Sequence, residues 1–183
     1  MKLLSKLLCI GIVFLGATAA GNAQTIFTFD DISTVGYTII PNGYGGLEWN
    51  NFFVQYAPEA TGFVNGVVSP PNVAFNGLGT PASFSSSSPL TLDSAYFTSV
   101  YASQDQLTVQ CFAGGTKLYD NTYAIYHDTL TLINFNYVGV DRVLFSTSAG
   151  ALFTMDNMTI TVPEPCTLLL LGLGAAMLRR KQK

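Results

Sequence analysis

Residues 152–162 read LFTMDNMTITV. Apolar side chains recur at every second position, the period of a β-strand with one buried face. Phe153 and Met155 share one phase; Met158, Ile160 and Val162 share the other. The phase changes at Asp156-Asn157. A period-two pattern that slips by one residue predicts a bulge, or a strand that passes from one sheet to another. The same alternation recurs upstream in TIFTFD (25–30), SAYFTSVY (94–101), QLTVQCF (106–112) and TLTLINFNY (129–137). Turn-rich stretches separate these runs: PNGYGG (41–46), VSPPN (68–72), NGLGTP (76–81), FAGG (112–115) and STSAG (146–150). SFSSSSP (83–89) reads as an exposed loop. No useful window has helical spacing, and no repeat of fixed period appears. The expected fold is all-β, a jelly-roll-like β-sandwich over residues 24–162. Leu130, Leu132, Phe135, Val143 and Phe145 are core candidates, and Cys111, in phase with Leu107 and Val109, reads as a buried small apolar residue.

First and last strands of a sandwich often lie side by side. That would bring Asp30 and Asp31, at the end of the first run, toward Asp156 and Asn157 in the last. Two readings stand for these residues: hard oxygen ligands for a structural Ca²⁺, or turn caps that face water. With its FDDI (29–32) and MDNMTI (155–160) ends, the middle resembles jelly-roll, galactose-binding-like modules. The resemblance implies a structural calcium near the termini.

A second concentration of chemistry is NGYGGLEWNNFFVQY (42–56). Tyr44, Trp49, Phe52, Phe53 and Tyr56 lie close in sequence, beside Glu48, Asn50 and Asn51. Aromatic faces stack on sugar rings, and the polar neighbours suit hydroxyls. A carbohydrate site on Tyr44, Trp49 and Tyr56 is one expectation. The other is that the only Trp and its neighbours fill the core. Tyr44, between glycines, is the member expected at the surface.

Charge is distributed unevenly. Of the eight Lys and Arg, only Lys117 and Arg142 lie between residues 24 and 162, against ten Asp and Glu, which leaves −8 on that stretch. Such a body repels phosphate backbones, so nucleic acid is not an expected partner. The remaining cations sit at the ends. Lys2 and Lys6 precede an apolar run to Ala17, followed by small residues up to Ala23, the anatomy of a signal peptide over 1–23.

The other end reads VPEPCTLLLLGLGAAMLRRKQK (162–183). Prolines hold Pro163-Glu164-Pro165 extended. The 13 residues from Cys166 to Leu178 would span about 20 Å as a helix, short of the ~30 Å hydrocarbon layer. Arg179, Arg180 and Lys181 form a basic stop on the cytoplasmic side. A plain C-terminal anchor is one reading. The motif, the Leu/Gly/Ala run and the basic end, in this order behind a leader, resemble the PEP-CTERM sorting signal, with Cys166 where Ser or Thr is usual. That resemblance implies a short transmembrane sorting segment over 163–183, read by an exosortase at the inner membrane. It implies export to the cell envelope, surface or extracellular matrix. The same tail occurs on ice-binding proteins, but the middle has no regular Thr-x-Thr array.

Catalysis is not expected. His127 is the single histidine, in YHDTLTL (126–132), and no G-x-S-x-G elbow accompanies it. Neither a His/Cys zinc cluster nor an evident acid pair of a glycosidase is present. The leading expectation is an exported, non-enzymatic surface or matrix protein. The alternatives are an envelope carbohydrate-binding module with an exopolysaccharide partner and, further off, an ice-binding protein or an envelope hydrolase.

Overall fold

The computed structural model describes residues 22–148 and 150–163. The bulk of the expected leader and the tail beyond Pro163, with Glu164, Pro165, Arg179, Arg180 and Lys181, lie outside the described residues. Ten strands form: β1 Asn22–Phe27, β2 Tyr37–Ile39, β3 Glu48–Asn50, β4 Phe52–Tyr56, β5 Asn72–Asn76, β6 Ala82–Ser99, β7 Gln104–Ala113, β8 Thr116–Tyr126, β9 Thr131–Thr147 and β10 Phe153–Pro163. All of their pairings are antiparallel. The expected all-β class is what the described chain adopts.

Hydrogen-bonded neighbours run β2-β4-β5-β10-β6-β9-β7-β8, with β1 on β10 and β3 on β6. The long strands β6 and β9 serve two layers. Ala82–Ser85 pairs with β3 and with residues 142–145 of β9, which continue to β7. Leu92–Phe97 pairs with the other half of β9 and with β10. Between these halves the register slips repeatedly from Ser85 to Ser94, and Asn136 and Gly139 take positive φ (53° and 75°). Such irregularities bend a strand. Here they fold one ladder over on itself into a sandwich.

The core lies between the layers. One layer contributes Phe52, Phe97 and Phe153; the other contributes Val109, Cys111, Val143 and Phe145. The Phe145 ring sits 5.8 Å from Phe52, 5.9 Å from Phe97 and 6.2 Å from Phe153. Burial of Cys111 pushes its thiol up to about 12. FAGG is the tightest turn: Ala113 pairs with Thr116, and Gly114 and Gly115 both take positive φ, as a two-residue hairpin requires.

The slip expected in the last run is present. The β10 register shifts between Asp156 and Thr159, and Asn157 adopts φ 47°. Phe153 and Met155 are buried before the bulge, Met158 and Ile160 after it.

Three expectations are corrected. Leu130 and Leu132 are exposed, at 39% and 45%. TLTLINFNY carries two competing phases, and the one holding Ile133, Phe135 and Tyr137 is buried. Its larger rings remove more apolar area from water. SFSSSSP is not a loop; it lies within β6, exposed over residues 87–89 where the ladder slips.

Candidate functional site

The aromatic patch of residues 44–56 is split by one backbone feature. Asn51, at φ 57°, turns the chain from β3 in one layer to β4 in the other. Trp49 is only 5% exposed. Its ring packs on Phe27, Phe29, Phe52 and Phe84 at 5.4–6.0 Å, and its Nε1 donates to the Tyr44 carbonyl at 2.9 Å. The core reading holds for Trp49, which has no ring face to offer a sugar. Tyr44 is half-buried on Phe27 and Phe29, with its hydroxyl donating to Asp31 at 2.7 Å. Burial first, then Asp31, raise that hydroxyl above the usual phenol range. Tyr56, half-buried, pairs with Asn72 in the other layer. The three residues do not form one surface.

Asp30, Asp156 and Asn157 do converge, on the segment 68–72. Asp156 Oδ2 accepts from the amides of Val68 (2.7 Å) and Ser69 (2.9 Å), and its Oδ1 from Asn157 N (2.7 Å). Ser69 Oγ donates to Asn157 Oδ1 at 2.8 Å, and Asn72 N donates to Asp30 Oδ1 at 2.9 Å. Asp31 is engaged elsewhere, by Tyr44. Burial pushes the Asp156 carboxyl up to about 6; the amides pull it down, and Asp30 adds to the rise. Among the described residues no group of three or more His, Cys, Asp or Glu is arranged to hold a metal. With N–H and O–H donors on the acid oxygens, the residues form an anchor for a loop, and they do not fit a calcium cage.

That loop builds the candidate site. Residues 57–71 leave β4, make 3-10 turns at Ala57–Glu59 and Val64–Gly66, and lie on the outer face of their layer. A side chain at Gly66 would overlap the hydroxyls of Thr154 and Thr98, so glycine permits the close approach. Ala57, Phe63, Val73, Phe75 and Val100 form a second apolar cluster beneath the loop.

The cover is partial. Beside it runs a groove of about 440 Å³, lined by Tyr37, Phe53, Gln55, Phe63, Phe75, Gly77, Leu78 and Leu152. Phe53 and Phe75 face outward from β4 and β5, 5.6 Å apart. Phe63 meets Phe75 edge-on at 5.1 Å. Tyr37 meets Phe53 and Phe75 at 6.2 and 6.3 Å, yet stays 66% exposed. Leu78, at φ 54°, is 95% exposed on the rim. Its turn is clamped from both sides. Asn51 Nδ2 donates to Gly77 O (3.1 Å) and Thr80 Oγ1 (2.8 Å); Asn76 Nδ2 donates to Thr80 O and Ala151 O (both 3.1 Å). Leu78 is thus held in the left-handed region with its side chain in water, a local strain of the kind that clusters at ligand sites. Of the groove residues, sequence reading had singled out only Phe53; register alone brings Tyr37, Phe53 and Phe75 together.

His127 sits in the turn after β8. Its Nδ1 lies 3.2 Å from the Ser99 carbonyl, and its Nε2 lies 3.3 Å from Asn65 Nδ2. Both nitrogens are thus spent on groups other than a serine hydroxyl. Pro163 ends β10 opposite Asn22.

No family model matches the chain, and no curated protein is similar to it. Solved structures are. The N-terminal CBM22-1-CBM22-2 tandem domain of Paenibacillus barcinonensis Xyn10C is similar at 16% identity and TM-score 0.48, over 81% of this chain and 48% of that one. This chain therefore spans about half the tandem domain. The single CBM22-1 xylan-binding domain of the same protein is similar at 16% and TM-score 0.47, over 81% and 99%. TmCBM61, solved with β-1,4-galactotriose, is similar at 9% and TM-score 0.36, over 72% and 100%.

Proposed function

We propose that this protein is an exported, non-catalytic binding module, and that the groove beside Tyr37 takes the apolar face of a sugar in an envelope or extracellular polysaccharide. The observation that carries the reading is the exposed Tyr37 ring over a Phe53–Phe75 floor, opposite the fixed Leu78. A pyranose presents C–H bonds on one face and hydroxyls around its edge. An open aromatic groove covers the first and leaves the second to water and to Tyr37 OH. Concave, mainly apolar sites with few polar groups are the usual form of ligand sites. Relative to the expectation for Tyr44, Trp49 and Tyr56, the chemistry is kept and the place is changed.

Export rests on the sequence. The leader, Pro163-Glu164-Pro165 and the Arg179-Arg180-Lys181 stop support passage through the inner membrane, with an exosortase as processing partner. A surface or matrix protein with a polysaccharide ligand fits that destination. The absence of catalysis is supported by His127, whose nitrogens face a carbonyl and an amide.

A survey of purified protein over polysaccharides and glycan arrays tests the binding reading. Binding is expected, with Tyr37→Ala weakening it about tenfold, the order of one aromatic contact. A blank survey, or binding indifferent to Tyr37→Ala and Leu78→Ala alike, overturns the groove as the site.

A further inference from the structure

The covering loop has a second flank. There, Pro58, Glu59, Ala60, Thr61, Gly62, Val64, Asn65 and His127 line a depression of about 300 Å³. It shares no lining residue with the Tyr37 groove. Its hydrogen-bond inventory is one-sided. The Ser99 carbonyl can only accept, so His127 Nδ1 carries the hydrogen of the neutral ring. Nε2 is then an acceptor, and Asn65 Nδ2 faces it at 3.3 Å. Asn65 Nδ2 also donates to the His127 carbonyl at 3.1 Å, which fixes the amide with nitrogen toward the histidine. Both amide hydrogens and both ring nitrogens are therefore used.

The free side-chain groups are mostly acceptors, with the Thr61 hydroxyl able to do either. Among the described residues, the Glu59 carboxylate, Asn65 Oδ1 and the Thr61 hydroxyl make no hydrogen bond or ion pair within the protein. The Asp128 carboxylate stands 3.6 Å from His127 Nε2, with its side chain 87% exposed. No cation is near. Lys117 is paired with Asp120 at the far end of β8, and Arg142 lies over Phe112 at the far end of β7. Most of a strand length, roughly 25 Å, separates them from Gln104 and Tyr126 beside the depression. That exceeds the ~10 Å screening length, so neither Lys117 nor Arg142 offsets the Glu59 and Asp128 carboxylates.

We propose that this depression binds a protonated amine carried on a sugar ring, as in the glucosamine units of a partly de-N-acetylated polysaccharide. The ammonium supplies the donors and the charge that Glu59 and Asn65 Oδ1 lack. Pro58, Ala60 and Val64 supply an apolar wall for the ring. A bare divalent cation fits less well, because it wants six or more oxygens and one lining carboxylate is present. The proposal rests on the carbohydrate reading and specifies its charge.

Calorimetric titration of the purified protein with glucosamine oligomers, and with the matched N-acetylated oligomers, tests it. The deacetylated oligomer is expected to bind at least fivefold more tightly at low salt. That preference should disappear in Glu59→Gln, an exposed position where the change leaves the fold intact. It should also shrink in high salt, and persist in Tyr37→Ala. Equal affinity for the two oligomers, or a preference unchanged by Glu59→Gln, overturns the proposal. If both oligomers bind equally and Tyr37→Ala abolishes both, the amine site falls while the carbohydrate reading survives. If neither binds and the wider glycan survey is blank, both fall together.

Discussion

Asp156 shows how one residue is asked for two incompatible things. It is fully buried, which disfavours its charge, yet several donors converge on it. Burial wins, and the carboxyl rises from 3.8 to about 6. Keeping it ionised at neutral pH costs about 3 kcal/mol, at about 1.4 kcal/mol per pH unit. Between about pH 4 and 6 the folded chain holds a proton there that the unfolded chain has released. Stability from this group is therefore greatest below pH 4, falls as pH rises through the window, and is level above 6. Asp156→Asn cannot titrate. Urea denaturation of both proteins at pH 4.5, 5.5 and 7.5 should show the wild type losing ground against the variant as pH rises. A wild type that gains on the variant over that range would mean that the amides, and not burial, dominate. The sequence placed Asp156 at the phase slip and near Asp30. It could not show that the oxygens would meet amides of residues 68 and 69, because that pairing depends on a loop with no periodic signal.

At the scale of elements, strands were legible and their partners were not. β7 alternates cleanly and β10 alternates in two phases on either side of its slip, and both were readable from period alone. β6 and β9 were harder, since each serves two layers and must break its own alternation to bend. SFSSSSP hides its strand for that reason; Leu132 misleads because its run carries two apolar phases, of which the one with Ile133, Phe135 and Tyr137 is buried. The groove was invisible: Tyr37 and Phe75 belong to short strands far apart in sequence, and only pairing through β4 unites them. The clamp on the Leu78 turn gives this level its test. Asn76 is fully buried; its Oδ1 accepts from Phe153 N at 2.8 Å while its amide holds two carbonyls. Asn76→Ala strands the buried Phe153 N–H, at about 1–3 kcal/mol, while the Thr80 and Ala151 carbonyls keep Asn51 Nδ2 and Thr147 Oγ1 as donors. A loss of about 1–3 kcal/mol is expected by urea denaturation, with an unchanged m-value. A loss below 1 kcal/mol would show that the turn is not held by Asn76.

Over the whole molecule, acids and cations are segregated along the chain. Asn22–Pro163 is one compact unit with its own core. It holds ten acids and the cations Lys117 and Arg142. Six cations lie outside it, two near the start and four at the end. The run from Cys166 to Leu178 is too short to span a bilayer comfortably, so it suits a pause better than a permanent anchor. β10 ends at Pro163, so a cut near Pro163-Glu164-Pro165 falls beyond the last paired residue and leaves the sandwich whole. Mass spectrometry of the product recovered from intact cells should find the leader gone and the residues after Pro165 removed. Replacing Arg179, Arg180 and Lys181 with Gln should slow that conversion in a pulse–chase, because the basic stop no longer holds the segment in register with the membrane protease. A full-length chain recovered from the culture fluid, with both ends attached, would leave the binding module standing and remove the sorting route assigned to it.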